Sequence, residues 1–172
     1  MSDPTPFSTE RLIVRHLHTR DVDAMHAVYS DIDAMRWVDD GSPLDRETCV
    51  KWIAKTHENY ERYGYGMCAI VLKDRTDTNE PIGFIGLVHP HGQALPELKY
   101  ALRAAHWGKG LATEAARGML EYGHRTLGLP EIIATIAPEN AQSIRVVTKA
   151  GMTESSPRIE ADGTRTLVYK ST

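Results

Sequence analysis

The sequence predicts a mixed α/β (α+β) protein, a mostly antiparallel sheet with helices on its faces, and three observations carry that expectation. Strand-like and helix-like hydrophobic patterns follow one another in the order β-α-α-β-β-β-α-β-α-β. Residues 132–136, Ile-Ile-Ala-Thr-Ile, are nearly all apolar, as expected of a strand buried on both faces. Residues 67–72 and 82–88 flank the polar, turn-rich stretch 73–81 and read as an antiparallel hairpin.

Taken in order, residues 12–17 are short and β-branched, and read as a strand. Thr19 is the expected cap of a helix with Val22, Met25, Val28, Tyr29 and Ile32 at helical spacing. Asp45 caps a second helix bearing Val50, Ile53 and Tyr60, which ends near Gly64 and Gly66. After the hairpin, residues 97–102 form a further strand, broken sharply at Trp107-Gly108-Lys109-Gly110. The next helix sets Leu111, Ala115, Ala116, Met119, Leu120 and Leu127 near one stripe, with Gly128 and Pro130 as stop signals. Asn140 caps a helix that Gly151 ends, and residues 165–169 close the sheet.

Composition narrows the functional classes. The 172 residues suit one domain with a sizeable core. With 20 Lys and Arg against 23 Asp and Glu, the net charge is −3, so no basic footprint points to nucleic acid. No apolar run reaches the ~18 residues that span a membrane. Residues 1–6 show neither a basic nor an apolar signal region, and a cytoplasmic location is expected. Cys49 and Cys68 make neither a disulfide framework nor a metal-ligand pair.

The strand-glycine-helix unit is the most informative chemistry. A helix N-terminus presents unpaired amides and partial positive charge, so it suits a phosphate or pyrophosphate. Gly108 and Gly110 have no Cβ to hold an anion away, and Lys109 adds charge. A P-loop is excluded because Gly110 follows Lys109, and a dinucleotide fingerprint because Thr113 stands where it needs a small third residue. The remaining alternatives are a different pyrophosphate cradle or a plain connecting turn.

The segment Trp107-Gly108-Lys109-Gly110-Leu111-Ala112-Thr113-Glu114-Ala115, with Pro138-Glu139-Asn140-Ala141-Gln142-Ser143-Ile144-Arg145-Val146 and Lys149-Ala150-Gly151-Met152 downstream, resembles the GNAT N-acetyltransferase superfamily. With Thr9-Glu10-Arg11-Leu12-Ile13-Val14-Arg15 at the start, it looks like the RimJ/RimL-like branch, which acetylates ribosomal-protein N-termini. The resemblance covers residues 9–170 as a single domain and leaves 1–8 as a short N-terminal extension. It implies a central sheet splayed open between two parallel strands, with acetyl-CoA in the splay. It also implies that amides of Trp107, Gly108, Lys109, Gly110, Leu111, Ala112 and Thr113 hold the pyrophosphate. The pantetheine arm would lie along Leu98, Tyr100, Ala101 and Leu102, and Asn140 would contact the cofactor. The superfamily's usual general-acid tyrosine aligns with Val147, and Ser143 matches the serine this branch carries instead.

Acetyl transfer to an amine needs a neutral amine and a stabilised leaving thiolate. Glu97, at the head of its strand, is either the base or a solvated edge charge; Ser143 is either the acid or a helix-cap hydroxyl. His89 and His91 lack a third ligand and read as surface loop rather than metal site, and His106 likewise as surface. Cys68 reads as a small hydrophobe. Trp37 and Tyr65 suit an acceptor pocket and core packing equally. The expected activity is direct transfer from acetyl-CoA to a primary amine, such as a protein N-terminal α-amine. The alternatives are a small-molecule amine (amino acid, polyamine or antibiotic) and a non-catalytic CoA-binding module. A homodimer is left open.

Overall fold

Five strands, β1 (Phe7–Ser8), β2 (Leu12–His16), β3 (Met67–Leu72), β4 (Gly83–Val88) and β5 (Glu97–Leu102), pair antiparallel in that order in the computed structural model, which describes residues 4–172. Then β6 (Ile132–Ile136) joins β5 in parallel, the sole parallel pairing among the described residues. On its far side β6 pairs antiparallel with β9 (Arg165–Ser171), which also carries the two-residue strands β7 (Thr153–Glu154) and β8 (Arg158–Ile159).

The helices cover both faces. Leu111, Ala115, Ala116, Met119 and Leu120 of α4 (Leu111–Arg125) pack on Ile85, Leu87, Leu98, Ile132 and Ala134, together with Val147 of α5 (Ala141–Lys149). On the other face α1 (Val22–Tyr29), the short α2 (Ile32–Met35) and α3 (Arg46–Tyr63) bury Met25, Val28, Tyr29, Met35, Cys49 and Ile53 against Ala69, Phe84 and Ala101. Phe84 lies in register between Ala69 and Ala101, so the two small neighbours make room for its ring. No helix among the described residues is long and apolar enough to cross a membrane.

Several local expectations are corrected. Thr19 opens a 3-10 turn, Thr19–Asp21, instead of capping α1, which starts at Val22. That α-helix stops at Tyr29; Ile32 begins a separate helix behind the Asp31 cap and is 68 % exposed. Val50 is 48 % exposed, because Cys49, Ile53 and Thr56 form the buried stripe of α3. Leu127 lies past the end of α4, at Arg125, although it still packs on the core. Asp45 and Asn140 cap as expected, through bonds from the Thr48 and Ser143 amides. Phe7 and Ser8, within the expected extension, pair with Val14 and Ile13, and the Phe7 ring lies 5.9 Å from that of Tyr122. Residues 1–3 of that extension are outside the described residues.

Candidate active site

The cleft arises where two parallel strands part. β5 and β6 share one register position, Glu97 with Ile133, and the Ile133 amide donates to the Pro96 carbonyl at 3.0 Å. Beyond it the β5 edge facing β6 has no ladder partner among the described residues, so its backbone groups are open to a ligand. The gap widens into a cleft of about 1420 Å³, lined by both strands, the glycine turn, the start of α5 and one stripe of α3. That exceeds the ~300–1,000 Å³ of an ordinary small-ligand pocket and leaves room for two substrates.

At one mouth is the glycine turn. Gly108 and Gly110 adopt φ of 72° and 76°, the left-handed region that side chains resist. A Cβ on Gly108 would meet nothing within 4 Å, and one on Gly110 would meet only the Arg11 guanidinium, at 3.5 Å. The glycines therefore answer a backbone requirement and keep the space above the turn free. The first-turn amides of α4, Leu111 to Thr113, have no intrahelical acceptor and sit at the positive end of the helix dipole. Trp107 plays a different part from the expected one. Its amide donates to Ala104 and its indole to the Leu102 carbonyl at 2.8 Å, so it ties strand to turn. Lys109 does not line the cleft; its carbonyl accepts from Arg11. Below the turn, Glu114 receives Thr9 Oγ1, the Arg11 amide and Arg11 Nε at 2.6–2.8 Å. Burial opposes the charge of Glu114, yet these bonds hold its carboxyl below the usual range.

Midway along the cleft, the Tyr100 and Ser143 hydroxyls are 2.8 Å apart, across the gap between β5 and the first turn of α5. Burial pushes the Tyr100 hydroxyl up to about 12, against a smaller opposing effect of the bond to Ser143, so it stays protonated at neutral pH. Leu98, Ala101, Leu102, Ala112 and Asn140 line the same cleft.

Glu97 does not face the cleft, and it is no solvated edge charge either: it is 1 % exposed. Thr135 of β6 donates to one carboxylate oxygen, Lys99 pairs with the same oxygen, and Gln93 Nε2 donates to the other at 3.1 Å. The carboxylate thus straps β5 to β6 at the root of the splay.

The other end is lined by Trp52, Lys55, Asn59 and Arg62, whose spacing puts them on one face of α3, with Trp37, Tyr63, His89 and His91 opposite or beside them. The i, i+3, i+7, i+10 spacing of this stripe is visible in the sequence, but only the facing strands mark it as a cleft wall. Tyr65 does not line the cleft; its hydroxyl bonds His89 Nε2 at 2.8 Å, while the other ring nitrogen donates to the Gln93 carbonyl at 2.9 Å. His106 does line it, and burial first, then Lys109, Arg75 and Arg103, hold the ring below its usual range. Cys68 is buried, and burial pushes its thiol up to about 12, which suits a core residue.

The fold is shared by known proteins. The family model described as "Acetyltransferase (GNAT) domain" matches residues 11–153. The uncharacterized N-acetyltransferase YnaD of Bacillus subtilis is 30 % identical over 84 % of this chain and 81 % of its own. The crystal structure of an acetyltransferase from Agrobacterium tumefaciens is 31 % identical and superposes with a TM-score of 0.77 over 100 % of this chain and 96 % of that one. RimL, the ribosomal L7/L12 alpha-N-protein acetyltransferase solved with coenzyme A, shares the fold alone, at 17 % identity and a TM-score of 0.80 over 97 % of each chain. A sheet parted between its two parallel strands, a left-handed glycine turn at the mouth and a sequence match across most of the length have one explanation: the chain belongs to the GNAT family of acetyltransferases.

Proposed function

We propose that this enzyme moves an acetyl group from acetyl-CoA directly to the primary amine of a peptide or protein N-terminus, in the manner of the RimJ/RimL-like branch. The observation behind the direct transfer is the single-pair contact of β5 with β6, which opens one cleft wide enough for both substrates at once. The amides of the glycine turn and of the first turn of α4 hold the pyrophosphate, and the open edge of β5 aligns the pantetheine arm. The neutral amine attacks the thioester carbonyl; the C–N bond forms, the C–S bond breaks, and the amine proton leaves to water at the open acceptor end. Ser143 donates its proton to the departing sulfur, Tyr100 passes its own to Ser143, and the proton lost by the amine returns to Tyr100 through water. Trp37, 45 % exposed at the rim, supports an extended acceptor by offering apolar surface on which a peptide chain can pack.

Free-thiol release from acetyl-CoA, measured across N-terminal peptides, amino acids, polyamines and aminoglycosides, tests this reading. Peptides are expected to give the highest kcat/KM. Preference for one small amine would move the acceptor to that class, and CoA binding without release by any amine would leave a regulatory module.

Glu97 enters this reading as a positioning residue. Glu97→Gln keeps the shape but loses the Lys99 ion pair, and is expected to lower turnover by roughly tenfold or less, equally from neutral to alkaline pH. A base would instead show a loss of about 10²-fold that shrinks as free amine accumulates at high pH. That pattern would give the amine proton to Glu97.

A further inference from the structure

Two sequence motifs whose contacting residues lie 103 positions apart meet in space. Thr9-Glu10-Arg11 opens the domain, and Glu114 lies in the first turn of the helix behind the glycine turn. Arg11 Nε and the Arg11 amide both reach the Glu114 carboxylate, at 2.6 and 2.8 Å, and Thr9 Oγ1 adds a third bond at 2.6 Å. From that anchored position Arg11 Nη1 donates to the Lys109 carbonyl at 2.9 Å, between the two left-handed glycines. A turn with two glycines is otherwise the softest backbone in the site, since each glycine has many conformations of nearly equal energy. Holding the Lys109 carbonyl on the Arg11 side fixes the peptide plane between Lys109 and Gly110, and so turns the Gly110 N–H to the opposite side. The fork geometry matters: one guanidinium bridges a carboxylate and a carbonyl at once, which a lysine ammonium on a flexible stem cannot do with the same precision of direction.

We infer that Arg11 is a positioning residue for the diphosphate of CoA: anchored on Glu114, it locks the glycine turn so that its amides are aimed before the ligand arrives. The inference rests on the reading that this turn holds the diphosphate. Preorganisation of this kind acts on affinity, because ordering the turn at binding would otherwise be subtracted from the contact energy. The Arg11 side chain is 46 % exposed, so its replacement opens no cavity in the core and leaves the fold intact.

The test is calorimetric titration of Arg11→Ala, Arg11→Lys and Gly110→Trp with two probes, CoA and pantetheine, the second lacking the diphosphate. Arg11→Ala is expected to raise Kd for CoA about tenfold, equivalent to ~1.4 kcal/mol, with pantetheine affinity within twofold of wild type. In turnover, KM for acetyl-CoA rises and kcat holds. Arg11→Lys, which retains the charge without the fork, is expected to follow Arg11→Ala. Wild-type CoA affinity in Arg11→Lys would reduce Arg11 to long-range charge and overturn the inference, as would an equal loss for both probes. If Arg11→Ala binds CoA normally while Gly110→Trp does not, the positioning role is wrong and the diphosphate reading stands. If neither substitution weakens CoA binding, the diphosphate reading itself has failed.

Discussion

Asp21→Ala is expected to remove about 3–5 kcal/mol of stability, a fall in melting temperature of roughly 6–20 °C for a domain of this size. Arg15 and Asp21 are 2 % and 3 % exposed and form a bidentate pair at 2.8 and 2.9 Å. All five N–H groups of the Arg15 guanidinium are used: two on Asp21, one on the His16 carbonyl, and two on the side chain and carbonyl of Asn79. Asp21 in turn accepts the His18 amide at 2.8 Å, so one buried pair fastens β2, the turn before α1 and the β3–β4 loop. Replacing both partners by apolar groups would cost little, whereas removing one leaves a buried charge with no counter-charge, and that asymmetry sets the magnitude. Thermal unfolding followed by circular dichroism measures it. A loss under ~1 kcal/mol would mean that water reaches Arg15 when Asp21 is gone, as at surface ion pairs.

The same pair shows what a sequence conceals. Arg15 sits within Leu12-Ile13-Val14-Arg15-His16-Leu17, whose short, β-branched run marks a strand, and nothing in that run says that its charge is buried. Two of its five bonds go to Asn79, 64 residues away. The features that were legible depend on near neighbours: the helical stripe of α4, the cap by Asn140, and the glycine turn, whose positive φ values at 108 and 110 are a backbone requirement written in residue type. The two-residue strands β1, β7 and β8 are too short for any period to register. Glu97 is the sharpest case. A glutamate at the head of a strand reads as solvated or as a base, and its burial under Lys99 and Thr135 follows only once β5 and β6 are side by side. Gln93, His89 and Tyr65 continue that hydrogen-bonded chain, and its last link joins residues 24 positions apart.

Ser143→Ala and Tyr100→Phe are each expected to lower kcat about 10–100-fold, with KM for acetyl-CoA nearly unchanged. Val147, where the resemblance to the superfamily expects a donor, is fully buried in the core and has no proton to give. The 2.8 Å contact between Tyr100 and Ser143 supplies two hydroxyls in series instead. If Ser143 donates to the leaving sulfur, its oxygen must accept from Tyr100, and the hydroxyl that burial pushes up to about 12 is well suited to keep that proton until it is needed. A well-placed donor to developing negative charge is worth ~2.7–4 kcal/mol, and the positive end of α5 shares the task here, which puts the expected loss at the low end. Two hydroxyls acting as one relay would leave the double variant little worse than either single one. No alkaline fall in kcat below about pH 10 should come from this pair, since the Tyr100 proton is retained there. Losses that multiply in the double variant would show two independent donors rather than a relay. A rise in KM with kcat unchanged would make the pair a binding contact for the cofactor arm, and unchanged kinetics would return Ser143 to the first turn of its helix as a hydroxyl with no part in the chemistry.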